Sequence, residues 1–276
     1  MNYYDGKTVY ITGGSSGIGL ATAVLLASYG ANVAIFARNK ERLEKALAEI
    51  EGSKKSGSQR FAAESLDVSD NRGVKKAMAK AVKKFGAPDV LINSAGVAYC
   101  NDFENTSFEK FDEEIKIDLY GVWNVCEALV PVMKAKGAGH IVNISSLAGL
   151  VGVYGYTAYS AAKFGLIGFS ESLRGELKPH NVNVSVLCPP DTDTPQLREE
   201  NKTKPAETKA ISGNAGLYQP DFVAKAMLKD TLKKKFVIIP GFEGKFTHIM
   251  KRLFPWLVEA VMDGAVKKVR RQAAKK

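Results

Sequence analysis

Three cysteines and three histidines in 276 residues leave little material for a metal centre. Cys100, Cys126 and Cys188 are scattered and form no C-x-x-C pair, and His140, His180 and His248 form no cluster. This pattern predicts reduced, mostly buried thiols in a cytoplasmic protein, and no metal site. No apolar run reaches the roughly 18–20 residues that a membrane-crossing helix needs. Met1–Lys7 is too short and polar for a signal peptide. Net charge is also scarce over most of the length. Residues 233–276 hold twelve Lys/Arg against three Asp/Glu, so +9 of the net +10 lies there and the preceding 232 residues carry +1. A nearly neutral main domain excludes a broad basic surface for nucleic acid. The remaining composition is that of one ordinary globular domain, long enough to bury a core.

Short apolar runs at Thr8–Thr12, Asn32–Ala37, Arg60–Leu66, Asp89–Asn93, His140–Ser145, Asn183–Cys188 and Phe236–Ile239 read as strands. Between them, Gly17–Tyr29, Lys40–Ile50, Val74–Phe85, Ser107–Lys136, Tyr156–Leu177 and Asp221–Lys233 read as helices, the fourth broken near Asp118–Gly121. Alternating strands and helices predict an α/β fold, a single doubly wound parallel-sheet Rossmann domain with helices on both faces. That domain is expected over 1–241, followed by a basic amphipathic tail over 242–276. The polar stretch Thr192–Gly216 reads as a long loop that closes over a ligand.

Chemistry is concentrated at four places. Thr12-Gly-Gly-Ser-Ser-Gly-Ile-Gly19 lies between the first strand and the first helix. Glycines 13, 17 and 19 let the backbone turn sharply and approach a diphosphate, which the helix N-terminus attracts. Tyr159 and Lys163 are four residues apart and share a helix face. A lysine cation beside a phenol is expected to lower the phenol's pKa toward neutrality, making it a proton donor and acceptor. A surface pair on an exposed helix has the same spacing, so the weight lies in the conjunction. Ser145-Ser146 and Asn93-Ser-Ala-Gly96 both end strands, and in an open parallel sheet the ligand crevice lies beyond those ends.

With these motifs the chain resembles the short-chain dehydrogenase/reductase family from about Lys7 to Pro240. The resemblance implies a nicotinamide cofactor held by Gly13, Ser15, Ser16, Gly17, Ile18 and Gly19. Asp67 and Val68 would lie against the adenine, and Asn93, Ala95 and Gly96 along the adenosine ribose. Thr194 would meet the nicotinamide carboxamide. It also implies a catalytic set in which Tyr159 gives a proton to the ketone oxygen, Ser146 holds that oxygen, and Lys163 binds the nicotinamide ribose. Ser145 remains an alternative to Ser146. The family often has asparagine where this chain has Asp118, and an ionised carboxylate cannot donate a hydrogen bond. Strand two ends in Arg38, with Arg42 one turn on, where NAD-specific sites place a carboxylate. Cations there suit a 2′-phosphate, so NADPH is the expected cofactor.

Within the family, Pro189-Pro-Asp-Thr-Asp-Thr-Pro195 and the residues through Ser212 resemble the substrate loop of sphingoid-ketone reductases. The implied substrate is the sphingoid ketone, reduced to its alcohol, with another lipophilic ketone, a steroid or fatty-acyl carbonyl, as alternative. The family also implies a homo-oligomer. The tail mixes Phe246, Ile249, Met250, Leu253, Phe254, Trp256 and Leu257 with Lys251, Arg252, Lys267, Lys268, Arg270 and Arg271. Such a segment suits peripheral contact with the cytoplasmic face of a membrane. Packing on its own domain or on a second subunit fits the same pattern.

Overall fold

A computed structural model describes residues 2–213 and 216–275. Seven strands form one sheet: β1 Thr8–Thr12, β2 Asn32–Ala37, β3 Phe61–Ser65, β4 Val90–Asn93, β5 Gly139–Ile144, β6 Val182–Leu187 and β7 Val237–Ile238. Their order is β3-β2-β1-β4-β5-β6-β7, and every pairing is parallel. Side chains alternate along each strand, so apolar residues feed both faces. Val9, Ile11, Val33, Ile35, Val90 and Ile92 enter one core, and Tyr10, Ala34, Phe36 and Leu91 enter the other. Helices α1 Gly17–Ser28 and α2 Lys40–Gly52 cover the first core, while α3 Asn71–Phe85 covers the second. The expected doubly wound Rossmann architecture is present.

Two expectations need correction. The Ser107–Lys136 region is not broken near Asp118. Helix α4, Phe108–Ile115, passes through a π-helical turn, Lys116–Tyr120, into α5, Gly121–Lys136. A π turn holds one extra residue and commonly marks a functional site. Here the turn contains Asp118, which is 1% exposed. After α6, Thr157–Leu177, the polar stretch Thr192–Gly216 is also not simply a loop. It contains α7, Pro195–Thr203, and α8, Ala206–Ser212. Thr194 caps α7 by accepting a hydrogen bond from the Leu197 N–H at 3.2 Å, and Pro195 occupies the first turn. Helix α9, Pro220–Leu232, then packs on α1.

The tail forms α10, Phe242–Leu253, and α11, Pro255–Ala273. Both fold back on the domain. Tyr218 donates a hydrogen bond to Glu243, and Arg270 approaches Glu207 of α8 at 3.6 Å. No residue of α11 is fully buried, and Trp256 at its start stays exposed among the described residues.

A buried polar chain ties the central strands to α6. Asn93 Nδ2 donates to Asn143 Oδ1 at 2.8 Å, Asn143 Nδ2 to Ser170 Oγ at 2.9 Å, and Ser170 Oγ to the Leu166 carbonyl at 2.6 Å. This chain fixes the helix that carries Tyr159 and Lys163. On β5, His140 is 3% exposed and lies 2.7 Å from Ser185 Oγ. Burial lowers its pKa from 6.5 to about 4. The unfolded chain therefore binds the proton first, and stability falls as pH drops from about 6.5 toward 4. The loss is about 3 kcal/mol. His140→Gln should remove that acid slope, as denaturant titrations at pH 7 and pH 4.5 would show.

Candidate active site

The strand ends and helix starts enclose one cavity of about 980 Å³. Its wall includes Gly13, Ser15, Ser16, Gly17, Ile18, Arg38, Arg42, Asp67, Val68, Ala95, Gly96, Ser146, Tyr159, Lys163 and Thr194. Residues spread over most of the sequence thus converge as the spacing predicts. Gly19 and Asn93 do not line the wall. A side chain at Gly19 would strike the Gly13 carbonyl at 2.4 Å, so that glycine closes the turn itself. Asn93 is 2% exposed and its amide is spent on Asn143. Its side chain belongs to the core, so a ribose contact from this residue would come from its backbone.

The glycine turn has the shape a diphosphate needs. Gly13 has φ +68°, and a Cβ there would lie 2.6 Å from the Ala95 nitrogen. Gly17 has φ +54° and lies under Thr194, whose Cγ2 would be 3.0 Å from a Cβ at 17. Ser16 makes no side-chain cap, so the first N–H groups of α1 are left for a ligand. Arg38 and Arg42 are exposed at the cavity edge and belong to no ion pair among the described residues. Asp67 accepts from the N–H and hydroxyl of Ser69 at 2.9 and 2.7 Å, which stiffens the turn after β3. The residues present fit a nicotinamide dinucleotide.

The reacting end is built on α6 and the end of β5. Ser145 is buried, and its hydroxyl donates to the Lys163 carbonyl at 3.0 Å. Ser146 follows it, accepts from the Ala148 N–H at 3.1 Å and lies beside Tyr159. This favours Ser146 over Ser145 as the hydroxyl that meets a substrate. Lys163 is 5% exposed, donates to the Ile144 carbonyl at 3.1 Å and lies 2.9 Å from Asp118 Oδ2. The Asp118 contact is an ion pair without a well-aligned hydrogen bond. Asp118 Oδ1 accepts from the Val97 N–H at 2.8 Å.

One electrostatic expectation is overturned. Tyr159 does not have a lowered pKa. Enclosure in the cavity pushes it well above 10, and the carboxylates Glu200, Asp118 and Glu114 push it further, against the opposing hydrogen bond from the Ser146 hydroxyl. Lys163 lies 5.3 Å from the phenol ring centre, but its charge is balanced by Asp118. The phenol therefore stays protonated at neutral pH, the state a proton donor needs.

No sequence motif points to Glu114 or Tyr156. Glu114 is fully buried one turn before Asp118, and burial raises its pKa to about 8. Its Oε1 accepts from the Tyr99 N–H at 2.6 Å, while Oε2 has no partner among the described residues. Tyr156 stacks at a tilt on Tyr159, ring centres 5.5 Å apart, and donates to Glu200 at 2.6 Å. Glu200 stands only among the residues of the substrate-loop likeness. Its four-residue spacing from Gln196 and Lys204 was the available cue, since it sets all three on one side of α7 and its end.

Comparison with known proteins agrees with this geometry. The family model described as short chain dehydrogenase matches residues 7–205. The 3-ketodihydrosphingosine reductase of Mus musculus is 40% identical over 240 residues, covering 87% of this chain and 72% of that protein. The 3-dehydrosphinganine reductase of Danio rerio is 39% identical over 241 residues, covering 87% and 73%. Among solved structures, levodione reductase superposes with a TM-score of 0.78 at 25% identity, covering 87% of this chain and 97% of that one. The chain belongs to the short-chain dehydrogenase family, and is an oxidoreductase that works with a nicotinamide dinucleotide.

Proposed function

We propose that this protein reduces 3-ketodihydrosphingosine to dihydrosphingosine with NADPH. The observation that carries the reading is Tyr159 with Ser146 and Lys163 on one cavity wall, opposite a glycine turn, in a chain about 40% identical to reductases of that name. The cavity supports a long-chain substrate. Phe246, Met250, Leu257, Val258, Val261 and Met262 of α10 and α11 extend its wall with apolar surface.

NADPH, when bound, would supply a hydride for the ketone carbon. Ser146 holds the ketone oxygen, and Tyr159 transfers its proton to that oxygen as negative charge develops there. Lys163, fixed by Asp118 and the Ile144 carbonyl, would hold the ribose hydroxyls of the cofactor. Arg38 and Arg42, which belong to no ion pair among the described residues, would hold the 2′-phosphate as cations. An assay of sphingoid, steroid and fatty-acyl ketones with NADPH and with NADH tests this. The sphingoid ketone with NADPH is expected to give the highest kcat/KM, and Arg38→Asp should shift the preference toward NADH. A steroid preference, or faster turnover with NADH in the unmodified protein, would overturn the corresponding part.

The uncovered side of the tail supports contact with a lipid surface. Leu253, Phe254 and Trp256 are 65%, 45% and 65% exposed at the joint between α10 and α11, beside Lys251 and Arg252. Apolar rings bracketed by cations match an anionic bilayer. Replacing all three with serine in the full chain should weaken pelleting with anionic vesicles at least about ten-fold, from the burial lost. Unchanged pelleting would assign this face to protein contact.

A further inference from the structure

We infer that Glu200 selects a substrate bearing a primary amine on the carbon next to the ketone. This rests on the reading of the cavity as a ketone-reducing site and adds a recognition element to it. Glu200 lies on α7, is 7% exposed and lines the cavity beside Tyr156 and Tyr159. Its Oε2 accepts from the Tyr156 hydroxyl at 2.6 Å and its Oε1 from Gln196 Nε2 at 3.0 Å. Both donors are neutral. A carboxylate accepts about four hydrogen bonds, so capacity remains.

Charge balance in the buried site points the same way. Asp118 is matched by Lys163 at 2.9 Å, and Asp191 by Lys204 at 3.5 Å. Glu200 belongs to no ion pair among the described residues. Lys204, the nearest cation acting on it, is held at Asp191 and over the Tyr156 ring. A buried carboxylate without a counter-ion is costly unless a cation arrives. Burial accordingly pushes the Glu200 carboxyl above its usual range.

Position decides which cation. Glu200 exerts the largest charge effect on Tyr159, and the ring of Tyr156 bridges the two. The Tyr159 hydroxyl marks the ketone oxygen. An amine on the neighbouring carbon lies only three bonds, of roughly 1.2–1.5 Å each, from that oxygen. An ammonium there reaches the field of Glu200, whereas a cation at the far end of a long chain does not. The sphingoid ketone proposed above carries its amine on that carbon, so Glu200 is the group that meets it, with the alkyl chain running toward the apolar residues of α10 and α11.

The test compares an eight-carbon 2-amino-3-ketone with the same ketone lacking the amine and with its N-acetyl form, using NADPH and the full chain. The unmodified protein is expected to favour the free amine by about ten- to a hundred-fold in kcat/KM, the range of a charge-assisted hydrogen bond. Glu200→Gln should collapse that ratio and Glu200→Asp should retain part of it. Calorimetric binding of a short 2-amino-1,3-diol to the NADP-loaded protein measures the same selectivity without turnover. If Glu200→Gln fails to fold, the ratio in the unmodified protein and in Glu200→Asp still decides. Equal rates on all three ketones, or a preference that survives Glu200→Gln, would overturn the proposal and leave Glu200 as a support for Tyr156. The short ketones separate the two readings, because amine preference among them stands even if the long sphingoid ketone is not a substrate.

Discussion

Tyr159→Phe is expected to lower kcat/KM for ketone reduction by about 10²–10⁴, the range for losing a positioned general acid. Cofactor binding, measured by nucleotide fluorescence, should change little, because the glycine turn and the arginines are remote from the phenol. The ring still packs against Tyr156, so the fold is retained. The pH profile carries the sharper prediction. The phenol's pKa lies well above 10, raised first by enclosure and then by three carboxylates. The protonated form, which reduction requires, is therefore fully populated at neutral pH and remains so until pH climbs past the usual phenol value. Reduction should stay flat through neutral pH and mildly alkaline conditions. Oxidation of the alcohol requires the phenolate and should rise with pH over the same interval. A reduction rate that fell through pH 7 would mean a phenol near neutrality and would contradict this account.

The second large effect is on stability. Lys163→Met removes the cation from a pair in which Lys163 is 5% and Asp118 1% exposed. Breaking such a pair costs about 3–5 kcal/mol, a fall in Tm on the order of 10 °C for a domain of this size. The sign of its pH dependence follows from Asp118, whose carboxyl already sits above 3.8 through burial. Without the lysine it rises further. Below that ordinary value both folded and unfolded carboxyls are protonated, and Asp118 adds no penalty. As pH rises, the unfolded chain releases the proton first, so stability falls. Melting should show a larger deficit at pH 8 than at pH 5. Adding Asp118→Leu should recover much of the stability, since an apolar pair avoids the desolvation cost. Activity should stay lost, because no group then binds the ribose. Equal melting of Lys163→Met and the unmodified protein would mean the pair is not buried.

Much of the fold was legible because its signals are local. Apolar runs of strand length recur between helical stretches, and the structure places a strand at each of them. The glycine turn is legible for the same reason: positive φ at Gly13 and Gly17 leaves glycine as the residue that fits. Tyr159 and Lys163 come together because four residues make about one helical turn.

What the sequence hid is tertiary. The π turn shifts the facing of Asp118 by one residue, and nothing in Ile117-Asp118-Leu119 announces that. As a result the lysine's charge is balanced, and the expected lowering of the phenol's pKa does not occur. Glu114 and Glu200 sit on helices that are otherwise mostly polar, so their burial follows from what packs over them. Helices α7 and α8 read as loop from sequence because their composition is polar, although Thr194-Pro195 has the residues of a helix start. For the tail, an apolar face with basic flanks is ambiguous by nature. The structure uses one side of it to wall the cavity and leaves the other uncovered.

The central claim is that the Tyr159 phenol protonates a sphingoid ketone while NADPH delivers hydride to the same carbonyl. The most direct measurement incubates the full chain with 3-ketodihydrosphingosine and NADPH deuterated at nicotinamide C4, and locates the label by mass spectrometry. Deuterium bound to C3 of dihydrosphingosine is the predicted result. Consumption of NADPH without labelled dihydrosphingosine, or no consumption at all, would contradict it.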